Sequence, residues 1–322
     1  MNVALLRRLR NATGRYLPLD ELGPSRESTR RDLDELEAFG FEIERHPLFG
    51  VASRGAAARL CPDLIEDGLG TSRVGRRIAV WNRVTSTNDL AARASQSVTN
   101  EGLVILAEEQ SAGRGRRGRT WTAPPRSSLL MSVLLFPPDE LADPAWLTAL
   151  GAVAVSEVVR SSTGRDARIK WPNDVRVGGK KVAGILVERG AGAVIGIGVN
   201  VNLASEEFPP ELRETSTSLR ILRGERLDRS ELARILIRQL DVWYETSRAN
   251  GPAALAVAWQ DRSEHLGRAV RVETCSGNFS GRLDGLDLLN GLSLSSGGGS
   301  IRRIPACEVL AIAPEDESLT RA

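Results

Sequence analysis

Lysine is nearly missing. Of the 43 basic residues in this 322-residue chain only Lys170, Lys180 and Lys181 are lysines, and the other 40 are arginines. A GC-rich genome explains the general bias, but not why the exceptions fall within twelve residues of one another. Histidine is limited to His46 and His265, and cysteine to Cys61, Cys275 and Cys307, with no CxxC or HxxxH spacing. That scarcity argues against a zinc site or a histidine-based triad. Three scattered cysteines fit a reducing compartment, so the expected location is cytoplasmic. Long apolar runs are absent too, and Met1 to Arg10 places its arginines after its apolar residues, the reverse of a signal peptide; no membrane partner is expected. A net charge of +2, from 43 basic and 41 acidic residues, excludes a surface built throughout for nucleic acid. What is present, 41% hydrophobic and 26% charged residues, is an ordinary globular composition long enough for two or three domains.

The first fifty residues read as a small helical unit. Leu5, Leu6 and Leu9 share one helix face, Leu19 and Leu22 suggest a short second helix, and Ser25 can cap a third that carries Leu33, Leu36 and Phe39 and stops at Gly40. Phe41 and Ile43 alternate as a strand that Pro47 and Gly50 turn, completing the order of a winged helix-turn-helix. From Arg77 helix and strand mix. The pattern predicts strands over 78–83, 103–108, 129–136, 167–171, 182–188 and 194–201, a helix from Asp143-Pro144 to Gly164, and another over 230–247. Val175 to Lys180 reads as a hairpin turn, so the sheet is at least partly antiparallel. After His265 come short strands at 269–274, 279–284, 288–294 and 300–304 with a turn at Gly297-Gly298-Gly299, the pattern of a five-stranded SH3-like barrel, then a tail expected to fray. The expected domains are 1–65, 66–264 and 265–322.

Two segments carry chemistry. Gly113-Arg114-Gly115-Arg116-Arg117-Gly118-Arg119 combines three glycines with four arginines and no acid. Its backbone N–H groups can form a concave nest, and its guanidinium forks suit phosphate oxygens. It is neither a Walker A loop nor a dinucleotide fingerprint, and a disordered arginine-glycine loop or a nucleic-acid contact weighs equally with a nucleotide site on physics alone. The second segment, Lys170-Trp171-Pro172-Asn173-Asp174, ends one strand, and Lys181 to Glu188 begins another. Lysine supplies a compact charge that can follow a moving negative charge, which the rigid fork of arginine does less freely.

Together with Thr85-Ser86-Thr87-Asn88 and Gly196-Ile197-Gly198-Val199-Asn200, these segments resemble the biotin protein ligases in order and approximate spacing, strongly over 77–202 and weakly into the C-terminal strands. The resemblance implies an α+β protein with an N-terminal winged helix-turn-helix, a central mixed-sheet, class II synthetase-like ligase domain and a C-terminal SH3-like β-barrel. It implies ATP, biotin and Mg2+ as cofactors, biotinyl-5'-AMP as intermediate, and a lysine of a biotin carboxyl carrier protein of a biotin-dependent carboxylase as acceptor. Ser86, Thr87, Asn88 and Gln110 then fall at the ureido ring. Arg114, Gly115 and Arg116 contact biotin and close over the adenylate, Arg119 engages phosphate, and Trp121 packs near adenine or in the core. Lys181 lies at the biotin carboxylate and α-phosphate, Lys170 at the phosphates, and Asn173 and Asn200 on the nucleotide side. Asp174 serves the metal or holds its loop, and Gly196 and Gly198 let a strand pass beside biotin.

Some family members are also biotin-responsive repressors. Here residues 1–50 hold eight arginines against nine acids, and the second helix is abbreviated, both against DNA binding. Arg26, Arg30 and Arg31, gathered at the start of the third helix, speak for it. Operator DNA, a domain that packs on the catalytic core and a relic all stay open as readings of this unit, as does a homodimer through the strand around Val194 to Val201. A lipoate ligase, of related fold, is expected to lack the intact arginine-glycine signature.

Overall fold

The computed structural model describes residues 1–12, 14–55, 58–296 and 300–315. The expected turn at 297–299 and the tail beyond 315 lie outside the described residues.

Helix α1 (Val3–Asn11) buries Leu5, Leu6 and Leu9, and its first turn is closed by Asn2, whose side chain accepts from the Leu5 N–H at 3.0 Å. A single turn, α2 (Leu19–Leu22), leads to Ser25, which caps α3 (Arg26–Phe39) by accepting from the Ser28 N–H at 3.2 Å. Gly40 ends α3 at φ 112°, a conformation that favours glycine. The hairpin β1 (Glu42–His46) and β2 (Gly50–Gly55) follows, and Phe41 and Val51 join the leucines in one small core. Arg26 is spent inside this unit, with both carboxylate oxygens of Asp20 at 2.5 Å. Arg45 is spent likewise, on Asp34 at 2.5 Å and Glu37 at 2.7 Å. Arg30 and Arg31 are exposed.

After α4 (Pro62–Glu66) the chain builds a seven-stranded sheet. Its elements are β3 (Arg77–Trp81), α5 (Thr87–Ala94), β4 (Leu103–Ala107), β5 (Ser128–Leu135), α6 (Pro144–Thr163), β6 (Arg168–Lys170), β7 (Asp174–Val177), β8 (Lys180–Arg189) and β9 (Ala193–Asn200). The strand order is β3-β4-β5-β9-β8-β7-β6, with β3 and β4 parallel and the other neighbours antiparallel. Alternation sends Ile105, Leu134 and Val194 to the α5 face, where Ala91 meets them, while Leu106, Val133 and Ile195 face the main core. Helix α6 is apolar almost all round because the sheet covers one side and α8 (Arg229–Asn250) another, with α7 (Leu219–Arg223) and α9 (Ala253–Asp261) flanking. Strand β9 has both edges taken, by β5 and β8, so a second copy cannot extend the sheet at 194–201 by strand pairing.

Five antiparallel strands follow: β10 (Ala269–Thr274), β11 (Gly277–Asp287), β12 (Gly291–Ser295), β13 (Ile301–Ile304) and β14 (Val309–Pro314), in the order β13-β12-β11-β10-β14. The strand expected from residue 288 begins three residues later. The Asp287 carboxylate accepts from the Leu289 and Asn290 N–H groups at 2.9 and 2.7 Å and holds 288–290 in a turn. The apolar core is continuous from α6 and α8 into this sheet through Val270, Leu283 and Ile312. Among the described residues no helix is long and apolar enough to cross a membrane.

Candidate active site

Strands β5, β9 and β8 form the floor of a cleft of about 1110 Å3, open mouth included. The floor is low because glycine recurs on it: Gly184 pairs with Gly198, and Gly196 with Leu186. A Cβ at Gly196 would press into the Asn88 side chain, with Cγ at 2.9 Å, and one at Gly198 would meet the Trp121 ring at 2.5 Å.

One end of the cleft is a hydrogen-bonded network. Thr87 donates from its N–H and its hydroxyl to Gln110 Oε1 at 2.8 and 3.0 Å. The Ser132 hydroxyl, fully buried on β5, lies 2.7 Å from Thr87 Oγ1 and 2.6 Å from Asn88 Oδ1. Asn88 donates onward to Glu188 Oε2 at 2.7 Å. Ser86 precedes α5 at the cap position but makes no side-chain cap hydrogen bond, and it lines the cleft. Helix geometry thus presents Ser86 and Thr87 to the cleft while Asn88 is held by side chains from β5 and β8.

The other end is cationic. Arg116, Arg117, Arg119, Lys170 and Lys181 line it, and Asp174 is the one carboxylate among the lining residues; Arg114 also lines the cleft, paired with Asp89 and Glu188. Lys181 Nζ meets Asp174 Oδ1 at 2.7 Å and sits 5.7 Å from the centroid of the Trp121 ring. Its backbone is clamped on both sides: the N–H donates to Thr215 O and the C=O accepts from the Thr217 N–H, each at 2.8 Å. The loop that carries the arginines folds back on itself, with Trp121 N–H on Gly113 O at 3.0 Å and Gly115 N–H on Arg119 O at 2.7 Å. At its tip Arg117 adopts φ 55° beside Gly118 at φ 75°, so one non-glycine residue there is strained. Arg116 reaches Asn173 Oδ1 at 3.4 Å; loss of water around its guanidinium, then the neighbouring Arg117 charge, push its pKa below the ordinary arginine value.

Of the ligand-contact residues expected from sequence, those from Ser86 to Gly198 line this one cleft, whereas Lys180 lies outside it, paired with Glu214. Asn200 does not line it: its amide turns away to donate to Thr217 O at 3.1 Å. Sequence reasoning missed Ser132, the pairing of Glu188 with Asn88, and Leu310, Ala311 and Ile312 of β14, which also line the cleft. Their only signal lies in contacts between segments far apart in the chain. Behind Lys170, Glu264 N–H donates to Ile169 O at 2.9 Å, and the next residue, His265, is 2% exposed. Burial, then the charges of Lys170, Arg176 and Arg268, lower its pKa to about 4.

Mg2+ has no ready-made seat among the described residues. Among the described residues no three His, Cys, Asp or Glu side chains cluster as a metal site, and the cleft's carboxylate is engaged by Lys181.

The profile of the Biotin/lipoate A/B protein ligase family matches residues 80–202. The chain is 32% identical to the bifunctional ligase/repressor BirA of Bacillus spizizenii over 83% of its own length and 84% of that protein's. It is 36% identical to the biotin--[acetyl-CoA-carboxylase] ligase of Mycobacterium tuberculosis over 68% of its length and 85% of that protein's. Among solved structures, the biotin protein ligase of Aquifex aeolicus in complex with biotin and ATP superposes with a TM-score of 0.66 at 27% identity, covering 74% of this chain and 99% of that one. With these relatives, and with the family's motifs converging on one cleft, the chain belongs to the biotin protein ligase family.

Proposed function

We propose that the chain is an ATP-dependent ligase that activates biotin as biotinyl-5'-AMP and transfers it to a lysine of a biotin carboxyl carrier domain. The observation that carries this reading is the polarity of the cleft, a hydrogen-bonding network of Thr87, Gln110, Ser132 and Asn88 at one end and, at the other, Arg116, Arg117, Arg119, Lys170 and Lys181 with Asp174 as the one lining carboxylate. A neutral ureido ring with a carboxylate tail suits the first end, and a triphosphate the second. In the first step a biotin carboxylate oxygen bonds to the α-phosphorus of ATP as the bond to pyrophosphate breaks. In the second the carrier amine bonds to the anhydride carbonyl, AMP leaves, and the amine proton passes to solvent. Such steps need reactants held in line and charge neutralised more than covalent help.

In this reading Ser86, Thr87 and Gln110 hydrogen-bond the ring, whose polar atoms would be costly to bury unpaired. Asn88 positions that turn instead of touching ligand. Lys181 exchanges Asp174 for the charge that grows at the α-phosphate, Lys170, Arg116 and Arg119 hold phosphate oxygens, and the 113–119 loop closes over the anhydride and keeps water out. Mg2+ would arrive on the ATP phosphates, keeping several of its waters, and Asp174, which pairs with Lys181 through Oδ1, has its second oxygen to offer the ion. We read 1–65, 66–264 and 265–322 as a winged helix, the ligase domain and an SH3-like unit. Incubating the protein with ATP and either biotin or lipoate tests the reading: biotinyl-AMP supports it, and lipoyl-AMP alone overturns it.

A second reading, repression through DNA, is favoured by one observation: Arg30 and Arg31 stand exposed on α3 ahead of the β1–β2 hairpin. Against it, Arg26 and Arg45 are consumed by acids of the same unit. A salt-dependent gel shift on operator-like palindromes, with and without biotin and ATP, decides it.

A further inference from the structure

Arg114 stands at the base of the loop of residues 113–119, bridged to Thr120, and two carboxylates from different elements hold it. Its Nη1 meets Asp89 Oδ1 at 2.8 Å, while Nη2 and Nε meet Glu188 at 3.0 and 3.2 Å. Asp89 belongs to the first turn of α5, directly after the Ser86–Asn88 turn, and Glu188 also accepts from Asn88. Three nitrogens of the guanidinium therefore tie the base of the loop to the hydrogen-bonding end of the cleft. A guanidinium offers five N–H donors, so Arg114 keeps donors for a ligand oxygen without releasing either acid. The far end of the loop has no comparable hold: Arg116 has the 3.4 Å contact with Asn173, and the tip carries the strained Arg117.

The geometry points to Asp89 as a positioning residue, one that acts through Arg114 to keep the base of the loop fixed while its tip opens and closes, and so sets how long an activated acyl-adenylate is retained. The inference rests on the ligase reading. Glu188 is a poor place to test it, because its removal would also free Asn88. Asp89 is a clean one: its other side-chain partner is the exposed Thr85 hydroxyl at 3.1 Å.

The test is a chase experiment on the full chain. Labelled biotinyl-AMP is formed on the enzyme, excess unlabelled biotin is added, and release is followed together with labelling of bystander lysines on serum albumin. Asp89→Asn should release the intermediate about three- to tenfold faster, the scale of a half-exposed ion pair acting on an off-rate. Asp89→Glu should restore retention, and raising salt should speed the parent towards the Asn variant, since the pair is screened. Adenylate formation at saturating substrates should stay within about twofold, a split that a general loss of structure would not give. Release from Asp89→Asn at the parental rate overturns the inference and leaves the ligase reading standing. A parent protein that forms no biotinyl-AMP overturns the ligase reading itself.

Discussion

Gly196→Ala is the sharpest perturbation of the cleft floor, because a single methyl group has a single obstacle. The new Cβ would press into Asn88, and that amide cannot swing aside freely: it holds Ser132 at 2.6 Å and Glu188 at 2.7 Å. Displacing it forfeits one neutral hydrogen bond, about 1 kcal/mol, and one to a carboxylate, about 2 kcal/mol. The sum, about 3 kcal/mol, must surface in either of two places. If the free protein keeps Asn88 displaced, the melting temperature falls by roughly 6–12 °C. If the ligand has to reset the turn, biotin affinity falls by about 100-fold. Calorimetric titration with biotin and a thermal melt on the same preparation measure both parts. Gly190→Ala is the control, since a Cβ there meets nothing within 4 Å. Gly198→Ala should forfeit no hydrogen bond, because its obstacle is the Trp121 ring, whose Nε1 has no hydrogen-bond partner. A Gly196→Ala protein whose combined loss stays below about 1 kcal/mol would refute the claim that Asn88 is locked and that the floor requires glycine.

Lys181→Ala should abolish adenylate formation and leave the melting temperature near that of the parent, because its ion pair is partly exposed; normal transfer of labelled biotin to a carrier domain would remove that lysine from the mechanism. Arg116→Gly should release biotinyl-AMP early and label bystander lysines, and full retention would count against the loop as a lid. His265 makes stability pH-dependent. Its folded pKa, about 4, lies below the unfolded value near 6.5, so the unfolded chain binds the extra proton between them. The neutral buried ring is therefore fully stabilising above pH 6.5, and stability falls as pH drops towards 4, by up to roughly 3 kcal/mol. His265→Leu should flatten that part of the urea-derived stability profile, and an unchanged slope would show that another group titrates there.

Much of this was legible because it is local. Helix α1 followed from the spacing of Leu5, Leu6 and Leu9, α3 from Ser25 and Gly40 at its ends, and α6 from Asp143-Pro144 and Gly164. Strand limits moved by up to three residues where flanking backbone groups found partners that periodicity does not register. The cleft residues were legible as motifs, each within a dozen positions of chain. What stayed hidden is what joins the motifs. Ser132 reads as an ordinary residue in an apolar strand, yet it sits between Thr87 and Asn88, more than forty positions away. Asp89 reads as a first-turn acid of α5, and its partner Arg114 belongs to another motif. Asn200 differs for the opposite reason: its place in a motif suggested a ligand contact, and its amide donates instead to the Thr217 carbonyl, a partner the motif does not contain.

The three β14 residues in the cleft wall change what it means to divide this chain. Lys170 ends a strand bridged to the 262–264 segment, and that segment leads straight into the sheet containing Leu310, Ala311 and Ile312. A cut there would not part an engine from an accessory. Each fragment would carry one side of the same wall, so two inactive halves produced together should reassemble a working cleft, and a chimera with a relative's C-terminal strands would inherit part of that relative's choice of ligand.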